Sequence, residues 1–406
     1  MLHWSTAGES HGPALIALME GMPAGVAITT QDIKDALAQR RVGHGRGARQ
    51  AFEADEVRFL AGVRHGETTG APIAIEIKNS EWPKWEKVMS ADPVPAEDLM
   101  VDAGKGDRRE MSRNKKLTTP RPGHADLAGM ASYRTGDARN ILERASARET
   151  AARVALGALA GALLTQACKV EVLGHVVSVG DVTGSAPLPK PGDRQALNHS
   201  PMRTLDKGSE SAFITKIDQT RTAGDTIGGV VEVVAWGVPL GLGSHVASDQ
   251  KLDAALAAAL MSIQSAKGVE IGDGFETSRR PGSLAHDAMG VRGGLVVRDT
   301  NRAGGIEGGT SNGEPIVARV AFKPISTVPA RLPTVDLETG EPAGAFHQRS
   351  DTSQVVPGAV IAEAAVQLTL ARALTERFGG RSLAEVKEQL EAQQRYVDSV
   401  LGGPHD

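Results

Sequence analysis

The first residues that could do chemistry lie near the start of the chain, in the motif Gly8-Glu9-Ser10-His11-Gly12. An imidazole exchanges protons near neutral pH, so His11 is a candidate acid or base, and Ser10 beside it adds a hydroxyl group. The flanking glycines allow the backbone to approach a ligand closely. Taken alone, the motif is equally consistent with a turn that carries a solvated histidine.

A cluster of arginines separated by glycines follows at residues 40–49 and comprises Arg40, Arg41, Arg46 and Arg49. The planar guanidinium group matches carboxylate and phosphate oxygens, so this loop suits a small polyanion. A solvated charge run and a nucleic-acid contact are the alternatives. The loop has no interleaved aromatic residues that would stack on bases, which disfavours nucleic acid.

Two further motifs precede a long apolar helix. The sequence RPGHAD at residues 121–126 presents His124 on a turn, with Asp126 placed to orient the imidazole. The sequence ERASARET at residues 143–150 then begins the helix. Because helix N-termini attract phosphates, this position favours a phosphorylated ligand.

The second half of the chain adds loops and cations. Residues 301–313, NRAGGIEGGTSNG, are too rich in glycine for regular structure and indicate a loop that lies close to a ligand. Lys323-Pro324-Ile325-Ser326-Thr327 supplies a cation with hydroxyl groups, and Arg349-Ser350-Asp351 supplies a cation with a carboxylate.

The composition is that of a globular protein without a nucleic-acid bias. The 406 residues include 45 Lys+Arg and 49 Asp+Glu, so the net charge is −4. The single cysteine, Cys168, excludes a disulfide framework and a multi-cysteine metal site, and no metal is expected. The N-terminus lacks signal-peptide features and the longest apolar segment is too short to span a bilayer. We therefore expect a cytoplasmic protein that contacts no membrane.

Periodicity predicts five helices and six strands. The helices are expected at Asp32–Gln39, from Ala151 through Leu163, Leu252–Ile263, Ala359–Phe378 and Ser382–Val400. The strands are expected at Gly25–Thr30, Pro72–Lys78, Val170–Val182, Gly229–Val238, Gly294–Arg298 and Ile316–Phe322. The helices at 151–163 and 252–263 carry Ala and Gly on several sides, which predicts a central position for both. Mobile loops are expected near 102–119, 184–208 and 335–345.

In this order, the motifs resemble those of the chorismate synthase family. The matching segments are GESHG at 8–12, the arginine loop at 40–49, RPGHAD at 121–126, ERASARETAARVA at 143–155, GDGFE at 272–276, NRAGGIEGG at 301–309, SNG at 311–313, KPIST at 323–327 and RSD at 349–351. The resemblance implies an α+β fold, a single β-α-β sandwich domain over residues 1–406 with long Ala-rich central helices between antiparallel sheets. It also implies a homotetramer.

The activity implied by the resemblance is the 1,4-anti elimination of phosphate from 5-enolpyruvylshikimate 3-phosphate, which gives chorismate. Family members need reduced FMN although the reaction has no net redox change, since the flavin lends an electron and recovers it. By resemblance, His11 protonates the departing phosphate, His124 lies beside flavin N1, and Asp351 assists proton handling at flavin N5. Substrate would be bound by Ser10, Arg40, Arg46 and Arg49.

The resemblance also assigns the residues that hold the flavin, namely Arg144, Ala145, Ser146, Gln264, Ser265, Gly308, Gly309, Lys323, Pro324, Ile325, Ser326, Thr327 and Arg349. Whether the enzyme reduces its own flavin or depends on an external flavin reductase, with NADPH as an indirect reductant, stays open. A flavin oxidoreductase of unknown substrate and a nucleic-acid-binding protein that uses residues 40–49 are the alternative functions.

Overall fold

Two antiparallel β-sheets form the outer layers of the fold, and long helices lie between them. The computed structural model describes residues 1–47, 56–99, 115–346 and 351–401. Numbered along the described chain, the strands are β1 His3–Ala7, β2 Ala14–Glu20, β3 Val57–Ala61, β4 Val63–Arg64, β5 Glu67–Thr68, β6 Ile73–Lys78, β7 Glu171–Val179, β8 Val182–Thr183, β9 Gly229–Trp236, β10 Ala266–Ile271, β11 Met289–Arg292, β12 Leu295–Arg298, β13 Ile306–Glu307, β14 Thr310–Ser311, β15 Ile316–Phe322, β16 Pro333–Val335 and β17 Pro342–Gly344.

The α-helices of the described chain connect or cover these strands. They are α1 Thr30–Arg41, α2 Ala96–Leu99, α3 Asp126–Tyr133, α4 Arg139–Ala145, α5 Thr150–Cys168, α6 Arg194–His199, α7 Lys207–Thr222, α8 Leu252–Met261, α9 Gly282–Ala285, α10 Val355–Arg377 and α11 Leu383–Leu401. Short 3₁₀ helices lie at Trp82–Lys84, Ala147–Glu149, Ser248–Gln250 and Gly274–Arg279.

The first sheet has the strand order β1-β2-β6-β3 and the second the order β10-β15-β9-β7-β8, with antiparallel pairing throughout. In β6 every second residue, Ile73, Ile75 and Ile77, is fully buried. This alternation is the pattern of a strand that turns one face to the core. The expected α+β sandwich is confirmed.

The two central helices are α5 and α10. Helix α5 packs on the first sheet and on α10, and α10 packs on the second sheet. A Cβ atom at Gly157 would lie 2.4 Å from the Cβ of Ala364, so only glycine permits this close approach. The segments Arg139–Cys168 and Val355–Arg377 are long and apolar enough to cross a membrane, but 56% and 83% of their apolar windows are buried, as in core helices.

Two predictions from periodicity are wrong. Helix α8 buries only Leu252, Leu256 and Leu260, so it lies at the edge of the core and α10 is the second central helix. Residues 25–30 form only an isolated bridge, between Ala27 and Glu67, and not a strand; Thr29 accepts the Asp32 N–H in a capping box, so α1 begins directly after it. The other predicted strands and helices are confirmed to within a few residues.

The loop predictions are tested only in part. Most of the segment 102–119 lies outside the described residues. The segment 184–208 contains α6, and 335–345 contains β17 and the last residue of β16. The mobility of these loops, and the single-domain organisation, stay predictions.

Candidate active site

A cavity of about 840 Å³ lies at the N-terminal ends of α5 and α10. Ligand sites commonly have this size. Residues from both helix starts, Thr150 and Gly358 among them, line it, so the positive ends of two helix dipoles face the same space. The cavity is therefore suited to an anion.

Fourteen of the residues predicted for the site meet in this cavity, although they come from distant parts of the chain. They are Ser10, His11, Arg40, Arg46, His124, Ala145, Ser146, Gln264, Ser265, Lys323, Ile325, Ser326, Thr327 and Asp351. Each lies in or next to a loop: between β1 and β2, after α1, before α3, between α4 and α5, before β10, after β15, or before α10. The sandwich thus turns these loops toward one end of its central helices.

Four other predicted residues, Arg144, Gly308, Gly309 and Pro324, do not line the cavity. The guanidinium of Arg144 donates to the carbonyl oxygens of Thr6, at 2.9 Å, and Gly8, at 3.0 Å, and so ties α4 to the first strand. Gly308 and Gly309 form the turn between β13 and β14, and Pro324 lies between two lining residues. Arg49 and Arg349 lie outside the described residues.

His11 is buried and held from two sides. Its Nδ1 lies 2.9 Å and 3.0 Å from the two carboxylate oxygens of Glu143. Its ring stacks on Trp85, with 3.9 Å between ring centroids and an interplanar angle of 21°. With Nδ1 occupied, Nε2 is the ring nitrogen that remains for a ligand.

His124 belongs to a compact charged group on the RPGHAD turn. Its Nδ1 lies 2.5 Å from Asp126 Oδ1, and Arg121 donates to Asp126 Oδ2 through Nε at 2.8 Å and to Oδ1 through Nη2 at 3.1 Å. Burial alone would raise the pKa of Asp126, but the hydrogen bonds from His124 and Arg121 outweigh it and hold that pKa far below its usual value. Asp126 is therefore an ionised acceptor that orients the imidazole, as its spacing predicts.

Of the two described arginines in the predicted substrate set, Arg40 is buried and Arg46 is partly buried, and both line the cavity. Arg40 donates to Thr150 Oγ1 at 2.8 Å and to the carbonyl of Ala147 at 2.7 Å. Arg46 pairs with Asp351 at 2.5 Å between Nη1 and Oδ2. Burial lowers the pKa of Arg46, and the negative charge of Asp351 opposes that effect. The position of these two guanidinium groups in the cavity wall disfavours the nucleic-acid alternative, since DNA would need them at the surface.

Gln264 lies in the cavity wall, and one atom of its side-chain amide has no hydrogen-bond partner among the described residues. Its Nε2 donates to Glu149 Oε2 at 3.0 Å, which fixes the direction of the amide. Its Oε1 is buried without a hydrogen-bond partner in the described part of the structure. A buried acceptor of this kind is matched by an N–H or O–H group of a ligand.

Several lining residues were not predicted as site residues. The polar ones include Asn79, Glu81, Lys84, Arg121, Arg148 and Gln354. Arg121 lies in the motif RPGHAD and Arg148 in the motif ERASARET, and these positions are the signal that could have assigned both residues. Asn79, Glu81 and Lys84 belong to a segment without any such motif, and only the tertiary structure brings them to the cavity.

The charge of the described cavity wall is strongly positive. Six cationic residues line the cavity against two carboxylates, Glu81 and Asp351; the cations are Arg40, Arg46, Lys84, Arg121, Arg148 and Lys323. Together with two histidines that are each held by a carboxylate, this arrangement is typical of an enzyme that acts on a small polyanion.

Comparison with known proteins identifies the kind of enzyme. The family model described as chorismate synthase matches residues 2–375. The chain is 57% identical to the chorismate synthase of Acidothermus cellulolyticus, over 99% of this chain and 100% of the relative. It is also 57% identical to that of Mycobacterium ulcerans, over 98% and 96%. A crystal structure of chorismate synthase aligns with a TM-score of 0.76 and 35% identity over 98% of both chains. The chain belongs to the chorismate synthase family.

Proposed function

We propose that this chain eliminates phosphate from 5-enolpyruvylshikimate 3-phosphate in a 1,4-anti sense and so forms chorismate, as a carbon–oxygen lyase. The observation that carries the proposal is the meeting of His11, His124 and six cationic side chains in one cavity. The substrate bears one phosphate and two carboxylates, which match that charge. Family membership and 57% identity to curated chorismate synthases support it.

Ser10, Arg40, Arg46 and Arg49 are the proposed substrate contacts. Arg40 and Arg46 are held by Thr150 and Asp351, so little side-chain entropy is lost when they meet an anion. Positive charge from these groups and from the helix N-termini stabilises the negative charge that collects on the departing phosphate.

His11 is the proposed acid for the departing phosphate. Glu143 holds Nδ1, so the proton is delivered from Nε2. His124 is the second proposed proton carrier and is oriented by Asp126. Asp351 accepts hydrogen bonds from Arg46 and from the backbone N–H of Gly47, at 2.7 Å, and these bonds fix its carboxylate for the proton-handling role proposed for it.

The residues in the cavity fit a reduced flavin. The unpartnered Oε1 of Gln264 suits a ring N–H group, and the ammonium of Lys323 with the hydroxyl groups of Ser326 and Thr327 suits a phosphate. The proposed flavin-binding residues are Arg144, Ala145, Ser146, Gln264, Ser265, Gly308, Gly309, Lys323, Pro324, Ile325, Ser326, Thr327 and Arg349. Reduced FMN, when bound, lends an electron and recovers it, so the reaction has no net redox change. The proposal includes NADPH only as an indirect reductant, through an external flavin reductase.

The proposal extends to assembly and location. We expect a homotetramer in the cytoplasm, without nucleic-acid or membrane contacts. Exposed apolar side chains on the hairpin of β11 and β12, with Met289 61% and Val291 71% exposed, support a contact between copies of the chain.

An anaerobic assay tests the function directly. Phosphate release and chorismate absorbance are followed with the enolpyruvyl substrate and reduced FMN, and both are expected only when reduced FMN is present. Equal turnover without flavin, or with oxidised FMN in air, would contradict the proposal. Stoichiometric consumption of a nicotinamide cofactor would instead favour the oxidoreductase.

A further inference from the structure

We infer that Glu143 and Trp85 are positioning residues for His11. They fix the imidazole so that Nε2 is the only ring nitrogen that can contact the substrate. This inference rests on the proposed function, in which His11 is the acid. Neither residue is among the catalytic, substrate or flavin residues assigned above. Glu143 and Trp85 act on the reaction through His11.

The first support is that Glu143 holds the loop between β1 and β2, which carries His11. Its carboxylate is fully buried, and both oxygens lie within 3.0 Å of His11 Nδ1. The same carboxylate accepts the backbone N–H of His11 at 2.9 Å, and the carbonyl of Glu143 accepts the N–H of Ser10 at 3.0 Å. Backbone and side chain of one residue in α4 thus hold residues 10 and 11 together.

This contact determines the tautomer. A carboxylate only accepts hydrogen bonds, so neutral His11 keeps its proton on Nδ1. Nε2 is then the atom that takes up a proton and delivers it again. The arrangement follows the general rule that a buried carboxylate on one nitrogen of a catalytic histidine sets the tautomer and orientation of the other.

Trp85 supplies the second restraint. Trp85 is 7% exposed, and its indole stacks on the imidazole with 3.9 Å between ring centroids and 21° between the ring planes, which opposes rotation of the histidine ring. Arg139 links the two restraints, because its guanidinium lies over the Trp85 ring at 5.4 Å and its Nη1 lies 3.7 Å from Glu143 Oε1. The hydrogen bond fixes the position of Nδ1, and the stack fixes the plane of the ring.

The chain offers a matched control that distinguishes a positioning role from an effect on stability. His175 and Glu232 form a second buried histidine–carboxylate contact, with 2.8 Å between Nε2 and Oε1. Both residues lie in the five-stranded sheet and neither lines the cavity. Glu232→Gln therefore removes a buried carboxylate of the same kind from a place that the proposed reaction does not use.

The test compares Glu143→Gln, Glu232→Gln and His11→Ala in the anaerobic assay, with binding of substrate and reduced FMN measured separately. Glu143→Gln is expected to lower kcat about 10- to 100-fold and to change KM and both binding constants by less than about threefold. The neutral amide can donate to Nδ1, which moves the proton of neutral His11 to Nε2. The Nδ1 proton resonance of His11 in the NMR spectrum, expected far downfield in the parent protein, is expected to disappear. Glu232→Gln is expected to keep kcat within about threefold.

Two tryptophan variants carry the test if Glu143→Gln does not fold. Trp85→Phe keeps a flat ring and is expected to retain kcat within about fivefold, whereas Trp85→Leu is expected to lose about tenfold or more. Normal kcat in Glu143→Gln or in Trp85→Leu, beside an inactive His11→Ala, would overturn the positioning role and leave the proposed function intact. Normal kcat in His11→Ala would overturn the role of His11 itself. An equal loss of kcat in Glu232→Gln would overturn the positioning role, since burial alone would explain it.

Discussion

Replacing Arg46 by alanine is the most direct test of the proposed polyanion site. Arg46 lies in the cavity with 11% of its side chain exposed and pairs with Asp351, of which 16% is exposed. The substitution removes a charged donor from the substrate and leaves the Asp351 carboxylate with the backbone N–H of Gly47 as its remaining hydrogen bond among the described contacts. Both effects weaken the binding of an anion.

The size of the loss follows from the geometry. A hydrogen bond to a charged group contributes about 1.5–3 kcal/mol, which corresponds to a fall of roughly 10- to 150-fold in kcat/KM. The carboxylate of Asp351, now without its partner, adds repulsion toward the anionic substrate, so we expect the upper half of that range. Arg46→Lys keeps the charge but loses the planar fork, and is expected to recover only part of the activity.

The assay is steady-state turnover under anaerobic conditions with saturating reduced FMN, on protein whose folding is verified by a thermal melt. Arg41→Ala is the matched control, because Arg41 neighbours Arg40 at the end of α1 but does not line the cavity. A value of kcat/KM for Arg46→Ala within about threefold of the parent would refute the polyanion site. Equal losses in Arg41→Ala and Arg46→Ala, together with DNA binding that falls steeply with salt, would support the nucleic-acid alternative.

Three further outcomes are expected. His124→Ala should lower kcat about 10²-fold or more with a smaller change in KM, measured in the same assay, and near-normal kcat would make its role structural. Asp126→Asn should lower the free energy of unfolding at neutral pH, measured in urea titrations at several pH values. Because the pKa of Asp126 is depressed in the folded state, the difference in unfolding free energy between parent and variant should be complete above about pH 4 and should shrink as the pH falls below it. An advantage that is independent of pH would contradict this. Gly157→Ala should lower the free energy of unfolding by about 1–3 kcal/mol in chemical denaturation, since the new Cβ would lie 2.4 Å from the Cβ of Ala364. The control Gly268→Ala, whose new Cβ would have its nearest neighbour at 3.6 Å, should lower it less.

Much of the secondary structure can be predicted from the sequence, because the patterns of helices and strands depend on short stretches of chain. Strand β15 falls at the predicted residues, Ile316–Phe322, since its alternate residues Ile316, Ala318, Val320 and Phe322 are all buried, the pattern of a strand with one face on the core. Strands β1 and β2 were not predicted. The polar sequence His3–Ala7 is mostly exposed, so β1 has no alternation of buried and exposed residues to reveal it.

The Ala-rich helices show where local pattern stops being sufficient. The segments at 151–163 and 252–263 have the same periodicity, and both were predicted to be central. Only α5 is, since it packs against the first sheet on one side and α10 on the other, whereas α8 covers the edge of the core. Alanine is small enough for close helix packing and neutral enough for an exposed face, so its presence cannot say which sides are covered.

The sequence by itself determined the family, through motifs whose order needs no coordinates, and it supplied the chemistry of His11, His124 and the arginine loop. The tertiary structure alone decided how those groups are held. Glu143 lies 132 positions from His11 in the chain, and Trp85 reaches the imidazole from a segment without a motif. Arg144, predicted in the same motif as Ser146, turns away from the cavity to the first strand. Contacts between distant segments depend on how whole layers pack, and that arrangement is set by the burial of the entire core rather than by any local run of residues.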